Sequence, residues 1–155
     1  STPHLWSDSV AFARNEERWC DQEALARFAA RVQRHSDQLT STIDFFRRVG
    51  CEVDLYAAST KSSTLLQHCG ITHERIRSAV ERTPAKWGRV TSGTRIPIIS
   101  EEAWREDQAQ VLLIGAWQFA DYFRKREAEF LAKGGRMLIP LPQMELVEQQ
   151  RAEAV

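Results

Sequence analysis

The sequence has no surplus of either charge. Twenty-one Lys and Arg face 21 Asp and Glu, for a formal net charge of zero. Proteins that grip nucleic acid carry net basic charge or a basic stripe, so this balance counts against a nucleic-acid partner. Cysteine is sparse. Cys20, Cys51 and Cys69 form no C-x-x-C pair, and an odd, scattered count argues against a disulfide framework. The expectation is a reducing compartment, the cytoplasm. No apolar run reaches the ~18 residues of a membrane span, and no stretch reads as a secretory signal. The histidines, His4, His35, His68 and His73, have no metal-ligand spacing with one another or with cysteine. There is no G-x-S-x-G, no P-loop, and no acidic strand end followed by G-x-G-x-G. Neither a catalytic residue nor a metal ligand is expected on this chain.

What is present suits one compact domain. A chain of 155 residues buries roughly 68–70% of its unfolded surface and needs no disulfide or metal staple. Hydrophobic residues at 43% and charged residues at 27% match ordinary soluble proteins. The chain opens "STPHLW", without Met. A piece of a longer parent is expected in preference to a processed whole protein.

Hydrophobic spacing divides the chain. A helix is possible near Ser9 to Trp19. From Asp21 to Val49, Leu25, Phe28, Val32, Leu39, Ile43 and Phe46 recur at three- and four-residue steps and their multiples. That predicts one long helix, with Asp21 as N-cap and Gly50 just past its end. It is read as a lead-in that packs its stripe on the domain after it, with a coiled-coil or bundle arm as the alternative. "CEVDLYAA" reads as a buried strand, Thr60 to Cys69 as a helix, and "RIRSAVE" as a second strand. "RTPAKWGRVTSGTR" is a loop, and "IPIIS" a short extended piece. Ser100 caps a helix whose first turn holds Glu101 and Glu102. "QVLLIGAW" is the strongest strand, Phe119 to Ala132 a helix, and "RMLIPLP" a last strand. Strands alternating with helices predict an α/β fold: a small Rossmann-like parallel sheet with flanking helices, preceded by the long N-terminal helix. The expected division is a helical lead-in over 1–50, the Rossmann-like domain over 51–144, and a polar, fraying tail over 145–155.

In such a sheet, ligands bind outside the carboxyl ends of the strands. Three segments reach that edge. The first is "ASTKSS". Its small side chains admit a ligand to the backbone, and the helix after it presents free N–H groups and its positive end. Lys61 adds a cation, and Ser59, Thr60, Ser62 and Ser63 add hydroxyls, a set suited to a diphosphate. Without the G-x-G-x-x-G glycines, a simple helix cap is an equal alternative. The second is Glu81, placed where dinucleotide folds hold ribose hydroxyls, with Lys86, Trp87, Arg89 and Arg95 nearby. A surface ion pair is the alternative for Glu81. The third is "AWQFADYF", where Trp117 and Phe119 either wall a pocket or fill the core.

Four motifs in order carry a family resemblance: "YAASTKSSTLLQHCGI", "GTRIPIIS", "LLIGAWQFA" and "GGRMLIPLP". Over about Leu39 to Met144 the chain resembles the C-terminal domain of S-adenosylmethionine-dependent C-methyltransferases, including those acting on nucleotide-linked deoxysugars. The resemblance implies a parent enzyme with an N-terminal zinc-binding domain and a central methyltransferase domain. S-adenosylmethionine and the catalytic base would belong to that central part, and no cofactor to this chain. It implies that this domain closes over a nucleotide-linked sugar, with the upstream methyltransferase domain as its partner. Lys61 and Ser59 match the family's "Y-G-A-S-A-K-G-N" turn. Thr64, Leu65, Leu66, Cys69 and Gly70 match its "T-L-L…C-G" helix. Pro84, Lys86 and Gly88 match "N-P-x-K-x-G", Gly93, Thr94, Ile96 and Pro97 the next loop, and Trp117 and Phe119 the "W-N-F" pair. Ala57 and Ser62 stand where that turn has glycines, Ser63 replaces its asparagine, Glu81 an aspartate, and Thr83 the asparagine before proline. The implied substrate-binding residues are Ser59, Lys61, Ser62, Ser63, Glu81, Lys86, Trp117 and Phe119. A stand-alone nucleotide- or sugar-binding module without catalysis, or an interaction module using the long helix, is the alternative.

Overall fold

The computed structural model of the chain describes residues 21–148. The helix read near Ser9 to Trp19 and the end of the polar tail lie outside them. Two compact units adjoin in sequence between Ser36 and Asp37, and helix α1, Gln22–Arg48, contains that boundary. The Asp21 carboxylate accepts the Glu23 amide at 3.2 Å, as an N-cap does. Gly50, at φ 83°, takes the left-handed conformation that ends helices. The predicted stripe divides. Leu39, Ile43 and Phe46 are buried in the second unit, whereas Leu25 and Phe28 in the first are 53% and 55% exposed. Spacing marks which face of a helix is apolar; it does not say what covers that face.

The second unit is built on a six-stranded sheet. Its elements are β1 (Val53–Tyr56), α2 (Thr60–His68), β2 (Ala79–Val80), β3 (Ile98–Ile99), α3 (Glu101–Glu106), β4 (Val111–Ile114), α4 (Ala120–Arg126), α5 (Ala128–Ala132), β5 (Arg136–Ile139) and β6 (Glu145–Val147). The spatial order is β3-β2-β1-β4-β5-β6. That is a doubly wound order, with its switch point between β1 and β4. The first five strands pair in parallel, and the expected α/β architecture stands. The sheet is mixed rather than wholly parallel, because β6 joins β5 antiparallel, Ile139 facing Glu145. Residues 145–147 were read as fraying because they are polar. An exposed edge strand needs no apolar faces to hydrogen-bond, so backbone pairing holds them.

Period-two alternation sorts the strands onto two layers. Val53, Leu55, Val111 and Leu113 pack with Leu39, Ile43 and Phe46 of α1 and Leu66 of α2. Tyr56, Leu112 and Ile114 cluster instead with Trp104 of α3, Phe123 of α4 and Phe130 of α5. Helices thus cover both faces, as parallel strands require.

Two buried carboxylates tie neighbouring elements together. Asp54 on β1 is 0% exposed. It accepts from Arg77 at 3.1 and 2.7 Å, from the Ser78 amide and hydroxyl at 3.1 and 2.8 Å, and from the Ala109 amide at 3.3 Å. Glu127, also 0% exposed, interrupts the helix expected from Phe119 to Ala132. Its backbone, at φ −99° and ψ 24°, separates α4 from α5. The break aims its carboxylate inward, where it accepts from the Tyr56 hydroxyl at 3.0 Å and from Arg105 at 2.6 and 2.7 Å. Buried carboxylates survive only with such complete pairing.

Trp104 is the largest fully buried side chain. Tyr56 meets it edge-on at 5.6 Å, Phe130 packs tilted at 5.6 Å, and the Arg105 guanidinium lies 4.8 Å above its ring. We expect Trp104→Ala to lower unfolding free energy by about 3–5 kcal/mol in urea titration. Trp87→Ala, at an exposed loop position, is expected to shift the midpoint far less. Equal shifts would mean that the second layer is not anchored on Trp104.

Candidate functional site

The carboxyl ends of β1, β2 and β4 carry a cleft of about 440 Å³, lined by Tyr56, Ala57, Val80, Glu81, Arg82, Phe119, Tyr122 and Phe123. Its size falls in the range of small-ligand pockets. Of the expected site residues, Glu81 and Phe119 line it. Lys86 is tied to Glu81. Ser59, Lys61, Ser62 and Ser63 belong to the loop and first helical turn that follow Ala57.

That loop is closed on itself. Ser59 caps α2, its hydroxyl accepting the Ser62 amide at 3.2 Å, while the Ser62 hydroxyl accepts the Ser59 amide at 2.9 Å. This is a capping box built from two serines. The Ser62 hydroxyl also lies 2.8 Å from the Ser59 carbonyl and 3.1 Å from that of Ala57. Ser62 is buried, and the Ser63 amide already donates to the Ser59 carbonyl at 3.0 Å. The amides of Ser62 and Ser63, part of the helix end expected to present free N–H groups, therefore have partners within the turn. Lys61, by contrast, is exposed. The helix cap and the open cation exist side by side.

Two features fix this loop against its neighbour. Ala57 takes φ 74°, the left-handed region, at a position where the resembled turn has glycine. In β4's turn, a Cβ at Gly115 would stand 2.4 Å from the Ala57 carbonyl oxygen and 2.8 Å from Ser62 Cβ. Only glycine permits that approach.

Glu81 sits at the end of β2. One carboxylate oxygen accepts the Arg82 and Thr83 amides at 2.9 and 3.1 Å; the other accepts Lys86 Nζ at 2.9 Å. Lys86 Nζ also donates to the Ala58 carbonyl at 3.1 Å. It thus ties the loop after β2 to the loop after β1. Burial pushes the Glu81 carboxyl upward, but the hydrogen bonds from Lys86 and Thr83 outweigh it and hold it below its ordinary 4.5. Trp87 donates its indole N–H to the Glu81 carbonyl at 2.7 Å.

The aromatics after β4, expected either to wall a pocket or to fill the core, divide between the two. Trp117 is half-buried against the second layer, while Phe119 is 58% exposed on the cleft. The two stand two residues apart in the short 3₁₀ turn Trp117–Phe119, so their side chains leave it in different directions. Tyr122, Phe123, Tyr56, Val80 and Arg82 were missed as cleft residues. Tyr122 was within reach of the sequence: it stands three residues after Phe119, the spacing of one helical face. No group of three or more His, Cys, Asp or Glu able to hold a metal occurs among the described residues.

Two outcomes are expected. Ala57→Gly should stabilise the fold by about 0.5–1 kcal/mol, since left-handed strain of about 1–2 kcal/mol exceeds the entropy glycine adds. Gly115→Ala should cost about 1–3 kcal/mol, because backbone must move. Urea midpoints read both, and a neutral Gly115→Ala would refute the close approach. The Glu81 contribution follows pH. Its folded pKa is depressed, so the folded state binds fewer protons than the unfolded chain. Its stabilisation is complete above 4.5 and fades as pH falls through the lower folded value. Glu81→Gln should remove that part of the acid sensitivity; an unaltered pH profile would contradict it.

The family of C-methyltransferase C-terminal domains matches the chain over residues 2–142. The C-methyltransferase NovU of Streptomyces niveus is 34% identical over 120 residues, covering 77% of this chain and 29% of that protein. The match thus spans less than a third of the length of that relative. With the doubly wound sheet and the motif loops on its carboxyl edge, the chain belongs to the C-methyltransferase C-terminal domain family.

Proposed function

We propose that the chain is the substrate-binding C-terminal domain of an S-adenosylmethionine-dependent C-methyltransferase acting on a nucleotide-linked sugar. It works with an upstream methyltransferase domain and is not catalytic alone. The observation that carries this is the cleft at the carboxyl ends of β1, β2 and β4, with an open cation, Lys61, on the adjoining helical turn. A nucleotide-linked sugar needs an apolar surface for its ring systems and positive charge for its diphosphate. The two features supply these on either side of Ala57. Ser62 shapes the turn, Ser59 caps it, and Lys86 holds Glu81. The amides left for phosphate oxygens are those of Thr60 and Lys61, ahead of the first helical hydrogen bond.

The same loop does not fit S-adenosylmethionine. A cofactor cradle at this edge needs backbone open to the ligand after β1. Here the Ser62 side chain fills the turn, and β4's Gly115 packs against the Ala57 carbonyl. The methyl donor is assigned to the upstream domain.

The test is an amide chemical-shift titration of the 155-residue chain with a uridine- or thymidine-diphosphate sugar. Shifts should cluster at 57–63 and 80–86. They should weaken in Lys61→Ala and with added salt, because charge at an open edge is screened. Calorimetry with S-adenosylmethionine should show no binding. Shifts confined to other surfaces, or stoichiometric cofactor binding, would sink the assignment.

A further inference from the structure

The cleft has one kind of wall. Tyr56, Ala57, Val80, Phe119, Tyr122 and Phe123 present rings and aliphatic groups, and charge appears only through Glu81 and Arg82. Glu81 is already matched by Lys86 and two amides. An anion would find few donors inside. Phe119 and Tyr122 are nevertheless 58% and 52% exposed. Large apolar rings left open beside a cavity are favourable surface for a ligand to cover.

The wall is also rigid. Tyr56 meets Trp104 edge-on at 5.6 Å and Phe123 at 5.1 Å, and Phe123 meets Tyr122 at 5.4 Å. A chain of edge contacts runs from the core to the cleft. Its hydroxyls are fixed as well: Arg126 donates to the Tyr122 oxygen at 3.1 Å, and Tyr56 donates to Glu127 at 3.0 Å. A surface held this way loses little freedom when a ligand covers it.

The geometry points to this cleft as the seat of the aromatic base of a nucleotide, with Phe119 and Tyr122 as the stacking residues. This rests on the nucleotide-sugar assignment above and divides the ligand: the base lies in the cleft, and the diphosphate lies toward Lys61. Aromatic faces bind bases without regard to hydrogen-bond pattern, since every base has a π-face. The pentose between base and diphosphate then falls beside Glu81 and Arg82, both on the cleft lining.

The experiment records amide shifts of the 155-residue chain with four probes: a thymidine-diphosphate sugar, thymidine 5′-monophosphate, ribose 5-phosphate and inorganic pyrophosphate. The two nucleotides should move the amides of 80–82 and 119–123. The two base-free probes should leave 119–123 in place. Phe119→Ala should weaken nucleotide binding about fivefold or more, whereas Tyr122→Phe, which keeps the ring face, should change it by less than about twofold. Both side chains are more than half exposed, so both variants should fold. Ribose 5-phosphate moving the cleft amides as far as the nucleotide does, or unchanged affinity in Phe119→Ala, overturns the base assignment. Nucleotide shifts confined to 57–63 overturn it while leaving the nucleotide-sugar assignment intact. Silence with all four probes overturns both.

Discussion

The carboxyl edge of the sheet depends on the absence of a side chain at Gly115. β1 and β4 are central neighbours, in parallel register from Val53 and Val111 to Tyr56 and Ile114. Beyond that register their chains leave for opposite layers, α2 on one face and α4 on the other. The two departing loops must pass each other. They do so with the Ala57 carbonyl where a Cβ of residue 115 would be. The Gly115 amide donates to the Tyr56 carbonyl at 2.8 Å and extends the pairing one residue beyond the strand. Ala57 then turns through left-handed backbone, Ser59 reaches its capping position, and Ser62 is buried beneath the turn. The strained alanine is tolerated because its neighbours on both sides are already held.

Below the cleft, the decisive interaction is ionic. Glu127 lies out of water between Arg105 and the Tyr56 hydroxyl. Desolvating a carboxylate is expensive, and a single partner rarely offsets it. Here two hydrogen bonds from Arg105 and one from Tyr56 fill its acceptor positions. Burial pushes the Tyr56 phenol well above its ordinary range, and the neighbouring Glu127 charge adds to the rise. Tyr56 therefore stays a neutral donor at any ordinary pH. The consequence is geometric: Tyr56 cannot rotate away from the cleft without leaving a buried charge short of a partner. Glu101 extends the network by accepting from both Arg105 and Arg126. Arg126 in turn holds the Tyr122 hydroxyl. Helix α3, whose side chains are absent from the cleft lining, thus helps to fix two of its aromatic walls.

Much of this fold was legible because its signals are local. Asp21, Gly50, Ser59 and Ser100 mark helix ends through their own side chains or backbone freedom, and each stands at the end it marks. "VLLI" is apolar on both faces, as a central parallel strand must be. The misses are tertiary. Nothing near Glu127 in sequence says that it will be drawn inward by Tyr56 and Arg105, so the helix break was invisible. Leu25 and Phe28 keep perfect stripe spacing with Leu39 and Ile43, yet only the latter two are buried. At the candidate site, positions after strands were enough to put the loop, Glu81 and Phe119 at the carboxyl edge. Which of Trp117 and Phe119 meets the cleft was not legible, because that depends on the packing of Trp117 against the second layer. Lys86 was recognised as a site residue, but its role as a tie depends on a carbonyl 28 residues away.

On the proposed assignment, the edge combines two binding chemistries that respond differently to solvent. The turn after Ala57 has consumed the amides of Ser62 and Ser63 internally, so its attraction for an anion comes from Lys61 and the first free amides of α2. The helix end contributes only about 0.3–1 kcal/mol, and exposed charge is screened within about 8 Å at physiological salt. That half is weak and salt-sensitive by construction. The aromatic cleft is neither: its contribution scales with the apolar area covered and is indifferent to ionic strength. A turn with glycines could present more backbone to phosphate. Here Ala57 and Ser62 give that up and gain a fixed loop braced against β4. On the proposed assignment, recognition shifts from the charged turn toward the cleft. Closure by a neighbouring domain would exclude water from the turn and restore the strength its open charge lacks.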